Sequence, residues 1–358
     1  MNSILAVDIG SGTQDILIYQ PGLEMENNVK MILPSQTQIV ARQIERLTEE
    51  GKDIFINGYL MGGGSSSGAV KKHLQKGYKV YATREAALTI KDSLEEVTAR
   101  GIELADSTPA GCVRVEFKDI DIPALKKALS LFEVDFPRVF AFAVQDHGFS
   151  PNRSNRAFRF EHWQRFLDQG GSLPDMIYNQ DNLPAYFTRM KAVQQCCRKE
   201  AEQVWVMDTG AAAILGTLED NRVREATENG GSMLVNLGNQ HTIAFLVAGE
   251  QVYGVFEHHT GLLSEQKLVD YLNRFQERTL TNEEVFEDHG HGCTILPEAE
   301  DYKFDFISVT GPQRKLAANM GYMAVPHGDM MISGAAGLVR GVLNRLHLDS
   351  DQAVLRPD

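Results

Sequence analysis

The sequence lacks any apolar run approaching the roughly 18 residues needed to span a membrane, so no transmembrane helix is expected. It also lacks a long Lys/Arg tract. Its 358 residues carry a net charge of −13, which would repel a phosphate backbone unless basic side chains were gathered on one face. Neither nucleic acid nor membrane is therefore expected as a partner. Cysteine is scarce: Cys112, the neighbours Cys196 and Cys197, and Cys293. None forms a spaced C-x-x-C pair for a zinc or cluster site, and reduced structural thiols are expected. No basic leader precedes the first apolar stretch, which Asp8 interrupts, so the expectation is a cytoplasmic protein without a secretory signal.

What is present is a globular composition, 43% hydrophobic and 23% charged, in a chain longer than one core usually serves. Two domains are expected. Periodicity gives three short strands (Ser3–Ile9, Asp15–Gln20, Asn28–Leu33) followed by a helix over Gln38–Glu50. The same order recurs at Ser232–Leu237, Thr242–Val247, Gln251–Phe256 and the helix Leu263–Arg278. The reading is an α/β protein of two β-β-β-α-β-α-β-α lobes, residues 1–220 and 231–358. The first carries an extra β/α segment between about Asp53 and Phe132, and Arg84–Arg100 reads as one amphipathic helix. Phe149–Asp181, with Arg153, Arg156, Arg159 and Arg165, reads as an irregular insertion, and the polar Asp220–Gly231 as a turn-prone crossing between lobes.

The chemistry starts in the first turn, Asp8-Ile9-Gly10-Ser11-Gly12-Thr13-Gln14-Asp15. Gly10 and Gly12 tolerate tight backbone geometry, leaving N–H groups and the Ser11 and Thr13 hydroxyls free to face an anion. Asp8 could hold magnesium, which favours one or two carboxylates with phosphate oxygens and water. A counterpart, Asn236-Leu237-Gly238-Asn239-Gln240-His241-Thr242, occupies the equivalent turn of the second lobe, and two such turns could clamp a polyphosphate. Thr310-Gly311-Pro312-Gln313 places glycine where a strand gives way to a helix, so a flat base could approach the backbone, and Gly334 lies among small residues of the last helix.

This ordered set resembles the superfamily of acetate and sugar kinases, Hsp70 chaperones and actin. The resemblance implies a two-lobed actin-like ATPase fold of ribonuclease H-like type, with ATP and Mg2+ as cofactors. It makes Asp8–Asp15 the first phosphate motif and Asn236–Thr242 the second. By the same resemblance Val309–Arg314 is the adenosine motif and Asp208–Ala213 the connecting helix near the hinge. More closely, Met61–Gly64, Gln145–Gly148 and Asp208–Gly210 together resemble an uncharacterised prokaryotic family labelled as pyruvate formate-lyase activating enzymes. A radical activase would need cysteines at C-x-x-x-C-x-x-C spacing, which the four cysteines do not supply. Asn236 stands where superfamily relatives usually have Asp, so a tight two-carboxylate magnesium site is not expected.

Phosphoryl transfer needs positioning, charge neutralisation and a carboxylate to orient the nucleophile. Besides Asp8, the candidates are Asp146 and Asp208, each following an apolar strand; Asp146 is favoured because His147 and the Arg-rich segment follow it. The alternative is that Asp146 only caps a turn. Gly63 and Gly64, entering a helix, with His147, Arg153, Arg156 and His258, are the candidate substrate-anion contacts. His258, His259, His289 and His291 leave metal binding open, at spacings that are not diagnostic. The expected function is an ATP-dependent phosphotransferase acting on a small anionic metabolite. An ATPase activator or regulatory nucleotide sensor acting on a partner enzyme is the alternative, and a homodimer stays open.

Overall fold

A computed structural model describes residues 3–151 and 153–354, with side chains to residue 346. The chain opens with an antiparallel meander, β1 (Ile4–Ile9), β2 (Thr13–Tyr19) and β3 (Val29–Pro34), followed by α1 (Gln36–Glu49). The next stretch, β4 (Ile54–Gly58), α2 (Gly64–Gln75), β5 (Val80–Ala82), α3 (Arg84–Ala87), α4 (Leu94–Ala99), β6 (Ile102–Leu104) and β7 (Val113–Phe117), makes its own parallel sheet in the order β6-β5-β4-β7. This is the inserted β/α segment, and it has a separate core around Ile54, Val70 and Phe117. The single helix expected over Arg84–Arg100 is two short ones, because Thr89–Ser93 leaves the helical path and Ser93 restarts it by accepting from Glu96 N–H.

The main chain then resumes with α5 (Ile122–Ser130), β8 (Val139–Val144), α6 (Asn155–Asp168), β9 (Ile177–Tyr178), α7 (Thr188–Cys197), β10 (Gln203–Met207), α8 (Thr209–Thr217) and α9 (Asn221–Gly230). The second half is β11 (Ser232–Leu237), β12 (His241–Ala248), β13 (Gln251–His259), α10 (Glu265–Gln276), α11 (Asn282–Glu287), β14 (Gly292–Ile295), β15 (Phe306–Thr310), β16 (Tyr322–Met323) and α12 (Ser333–Val354). The two large sheets run β3-β2-β1-β8-β10-β9 and β14-β13-β12-β11-β15-β16. In each, a three-stranded meander is extended from its first strand by two parallel strands. That repeat is the duplicated actin-like architecture, and it follows from runs such as Val139–Val144 that are buried on both faces.

Two further sequence readings need correction. The polar stretch Asp220–Gly231 is the helix α9: Asp220 caps it by accepting from Arg222 N–H, and Val223 and Thr227, four apart, are buried. Residues 155–168 of the irregular insertion form α6, whose buried Arg159 among Phe158, Phe160 and Trp163 hides its apolar periodicity.

The lobes meet through α8 and α12, which share one apolar cluster with strands of both large sheets. Their crossing depends on missing side chains. A Cβ on Gly216 would overlap the Ser333 carbonyl oxygen, and one on Gly337 the Ala212 carbonyl oxygen. Gly337→Ala should therefore force the helices apart and lower stability by at least about 1–3 kcal/mol, the usual cost of overpacking. Urea unfolding checks this; an unchanged midpoint would show that the crossing can relax freely.

Candidate functional site

The first site element is the β1–β2 turn, closed by Gly10 N–H donating to Thr13 O at 2.9 Å. The β11–β12 turn closes in the same way, Gly238 N–H donating to His241 O at 2.9 Å. A Cβ on Gly12 would lie 3.4 Å from Asn239 Nδ2, so the two turns face one another. They border a cleft of about 420 Å³ that takes in Asp8, Gly10, Ser11, Thr13, Gly238–His241, Thr310–Pro312 and Gly334. Gly311 has a left-handed φ of 97°, and a Cβ there would press on Leu237 O. Gly334 is glycine for a different reason: a Cβ would strike the Asp8 carboxylate.

Asp8 and Asp15 are directly opposed across the hairpin and share a face, so their carboxylates converge. Burial, then the charges of Asp15 and Asp208, push Asp8 up to about 8 against a hydrogen bond from Thr209. Burial likewise pushes Asp15 up to about 7 against the Thr13 hydroxyl, and Asp329 adds to it. Asp15 Oδ1 is buried without a hydrogen-bond partner among the described residues. Asp15 thus places a second carboxylate opposite Asp8, a pairing legible in principle because residues flanking a hairpin turn at equal distance must face each other.

Past the turns the cleft continues between the inserted sheet and the second lobe, along Met61–Gly64, Thr89, Gln145–Gly148 and Arg189. Gly63, Gly64 and His147 lie here. Arg189, which the sequence reading missed, forks onto Asp119 with two 2.8 Å bonds and donates to Gln145 O at 2.8 Å. Asp119 also accepts from Gly62 N–H at 3.0 Å, fixing the glycine loop to α7.

Several expected contacts lie elsewhere. Gln14 turns inward and donates to Pro34 O at 2.9 Å, Thr242 is buried against Thr260, and Gln313 braces Asn239 from outside. Arg153 is an exposed partner of Glu161. Arg156 donates to Phe286 O and Gly290 O, and buried His258 is held by Asp288. None of these six lines the cleft.

The two carboxylates expected to act as bases are occupied. Asp146 accepts from the N–H groups of Gly148, Arg189 and Met190 at 2.9–3.0 Å, capping α7. Burial pushes it up to about 6 despite those bonds and the Arg189 charge. The turn-capping alternative therefore describes its hydrogen bonding. Asp208 caps α8 and pairs with Arg159 at 2.8 Å. Arg159 also donates at 2.8 Å to both oxygens of Glu257 on β13, so one guanidinium joins the end of β10 to the second lobe.

Beside Glu257 sits a histidine cluster. His241 Nδ1 is 3.1 Å from Glu257 Oε1, and the ring of His291 lies 4.7 Å from those of both His241 and His259. His147 stacks on His291 at 5.6 Å. Burial, then the Arg159 charge, pushes His147 well below the ordinary range. Burial also pushes His259 down to about 4 and His291 to about 3, so these rings are neutral at pH 7. Among the expected metal candidates, only His259 and His291 are in this cluster; the other members come from the Asp146–Gly148 loop and the second turn.

A protein-family model described as "Putative pyruvate format-lyase activating enzyme (DUF1786)" matches residues 61–316. The chain belongs to this family. The DUF1786 span takes in the glycine loop, the second turn, Arg159 and the whole histidine cluster, while the Asp8–Asp15 hairpin and Gly334 lie outside it. Among the described residues its four cysteines are free thiols, and the group of three potential metal-ligating side chains is all histidine. No curated protein matches the chain. Among solved structures it is similar to a Bacteroides thetaiotaomicron protein with actin-like ATPase fold and unknown function, at 7% identity, 94% and 96% coverage of the two chains and a TM-score of 0.37. It is also similar to MreB 5 of Spiroplasma citri bound to AMPPNP (7%, 99% and 99%, 0.36). A ROK family glucokinase from Streptomyces griseus in complex with glucose and AMPPNP is a third (13%, 95% and 97%, 0.30). No helix among the described residues is long and apolar enough to cross a membrane.

Proposed function

We propose that this DUF1786 protein is an ATP-dependent phosphotransferase, with nucleotide between the two facing turns and a small anionic acceptor between the glycine loop and the histidine cluster. The observation that carries the reading is the pair of turns closed by the same 2.9 Å bond and opposed across one cleft. Ser11, Asn239 and Gln240 offer N–H and side-chain donors to a polyphosphate, Gly10 and Gly238 hold the two turns closed, and Gly311 lets a base approach the backbone. Two converging carboxylates driven toward protonation, one with a buried unpartnered oxygen, suit a hard divalent cation, so Asp8 and Asp15 would hold magnesium. Bound there, magnesium would neutralise phosphate charge. The N-terminus of α2 at Gly63–Gly64 favours an anion on the acceptor side.

One observation favours a second reading, an ATPase whose closure acts on a partner enzyme. Asp119, Asp146, Asp208 and Glu257 are all engaged by arginine or backbone N–H groups, so taking a proton from an acceptor hydroxyl would break existing bonds. Thermal-shift screening with nucleotides, magnesium and a metabolite panel tests both readings. MgATP should raise the Tm by several degrees, as a ligand well above its Kd does. ATP turnover that requires a metabolite supports the transferase; metabolite-independent turnover supports the partner-directed ATPase. Absence of any MgATP shift overturns both.

A further inference from the structure

We propose that His147, His241 and His291 form a binding site for a first-row divalent transition metal, separate from the carboxylate pair and reached from the cleft. The inference does not rest on nucleotide binding. One ring nitrogen from each of the three lies within 4.8 Å of the others. Nitrogens about 2.0–2.1 Å from a tetrahedral zinc stand roughly 3.3 Å apart, so only small side-chain movements separate this arrangement from a closed one.

Two further observations point to a ligand. Both ring nitrogens of His291 are buried with no hydrogen-bond partner among the described residues, although its backbone is fixed by the His291 N–H bond to Glu257 O at 2.9 Å. A buried imidazole in that state leaves its polar atoms unsatisfied, which a metal would correct. Behind His241, Glu257 accepts at Nδ1 in the carboxylate–histidine arrangement that fixes a metal-binding tautomer, and Glu257 is itself held by Arg159 and by Trp163 Nε1 at 3.0 Å. Asp208 and Glu257 together exceed Arg159 by one negative charge, so the surroundings favour a cation.

Imidazole ligands select zinc, copper, nickel or iron over magnesium. Three protein ligands with two of the rings on the cleft wall leave a position open to the cleft, the pattern of a reactive site and not of a closed structural one. His147 follows β8 of the first sheet, whereas His241 starts β12 and His291 immediately precedes β14, both in the second. The ion would therefore tie the two halves together.

The test uses the full chain, stripped with a chelator and titrated with Zn2+ by calorimetry and with Co2+ by visible absorption. One equivalent should bind, with d–d bands of a nitrogen-rich site, and Zn2+ should raise the Tm. His147→Ala, His241→Ala and His291→Ala should each weaken Zn2+ binding by more than the roughly 10–100-fold typical of losing an outer partner. His289→Asn is the control, because His289 is exposed and adopts a left-handed φ of 66° that asparagine tolerates. It should bind as the parent does. Melting of the stripped variants separates lost folding from lost ligation; should His291→Ala fail to fold, His147→Ala on the cleft wall carries the test. The proposal is overturned if the folded parent binds no equivalent, or if folded His147→Ala and His291→Ala keep the parent affinity, which would make the cluster a packed stack of neutral rings.

Discussion

Arg159→Leu should destabilise the protein by about 3–5 kcal/mol, the range seen when one partner of a buried ion pair is removed. The cost comes from what stays behind. Asp208 and Glu257 are buried, and Arg159 is the guanidinium both of them face, at 2.8 Å. Arg159→Lys cannot reproduce the fork and should recover only part of the loss. Neutralising the carboxylates as well, in Arg159→Leu/Asp208→Asn/Glu257→Gln, should recover much of it, because the charges themselves are then gone. Urea midpoints of these variants decide the matter, and a near-neutral single substitution would refute the clamp.

The pH dependence supplies a sign. Although burial pushes Glu257 up, Arg159 first and then the neighbouring histidines hold it well below the carboxylate range. In the parent, that contribution is present above the ordinary Glu pKa of 4.5 and is lost as pH falls through the depressed folded value. Without Arg159, burial prevails and the folded state binds the proton more tightly than the unfolded one. The Arg159→Leu variant should then gain stability as pH falls from neutral toward 5, opposite to what Glu257 contributes in the parent.

Legibility in the sequence followed the range of the interactions. Asp8–Thr13 and Gly238–His241 could be read because a tight turn is specified by its own residues, and the repeated strand order places such turns on both large sheets. Arg159 could not, because Glu257 is 98 residues away and only the fold brings α6 beneath β13. The same holds for the histidines, which join from three separate segments of the chain, whereas the local spacing at His289 and His291 is not diagnostic. Asp146 shows an intermediate case. Its place at a strand end was legible, but whether the carboxylate is free depends on where α7 begins, 42 residues later at Thr188.

Asp8→Asn should abolish magnesium-dependent nucleotide binding while making the ligand-free protein more stable. Both effects arise from the same geometry. Asp8 and Asp15 face each other across the hairpin, and desolvation raises their folded-state values to about 8 and about 7, against 3.8 for an ordinary aspartate. With the folded value above the unfolded one, the ligand-free folded state binds more protons than the unfolded state. Stability is therefore greatest below the unfolded value and falls as pH rises from about 4 to about 8. Each unit of separation corresponds to about 1.4 kcal/mol, so removing the Asp8 charge should restore a few kcal/mol near pH 8 and flatten the slope. A divalent cation would act oppositely on the parent: its binding displaces the protons, so added Mg2+ should stabilise the parent more at pH 8 than at pH 5. The asparagine carboxamide, with no negative charge, should abolish that response. Melting temperatures across this range, with and without Mg2+, need no turnover assay. If Asp8→Asn kept the parent's pH slope or its Mg2+ response, the hairpin carboxylates could not be the cation site.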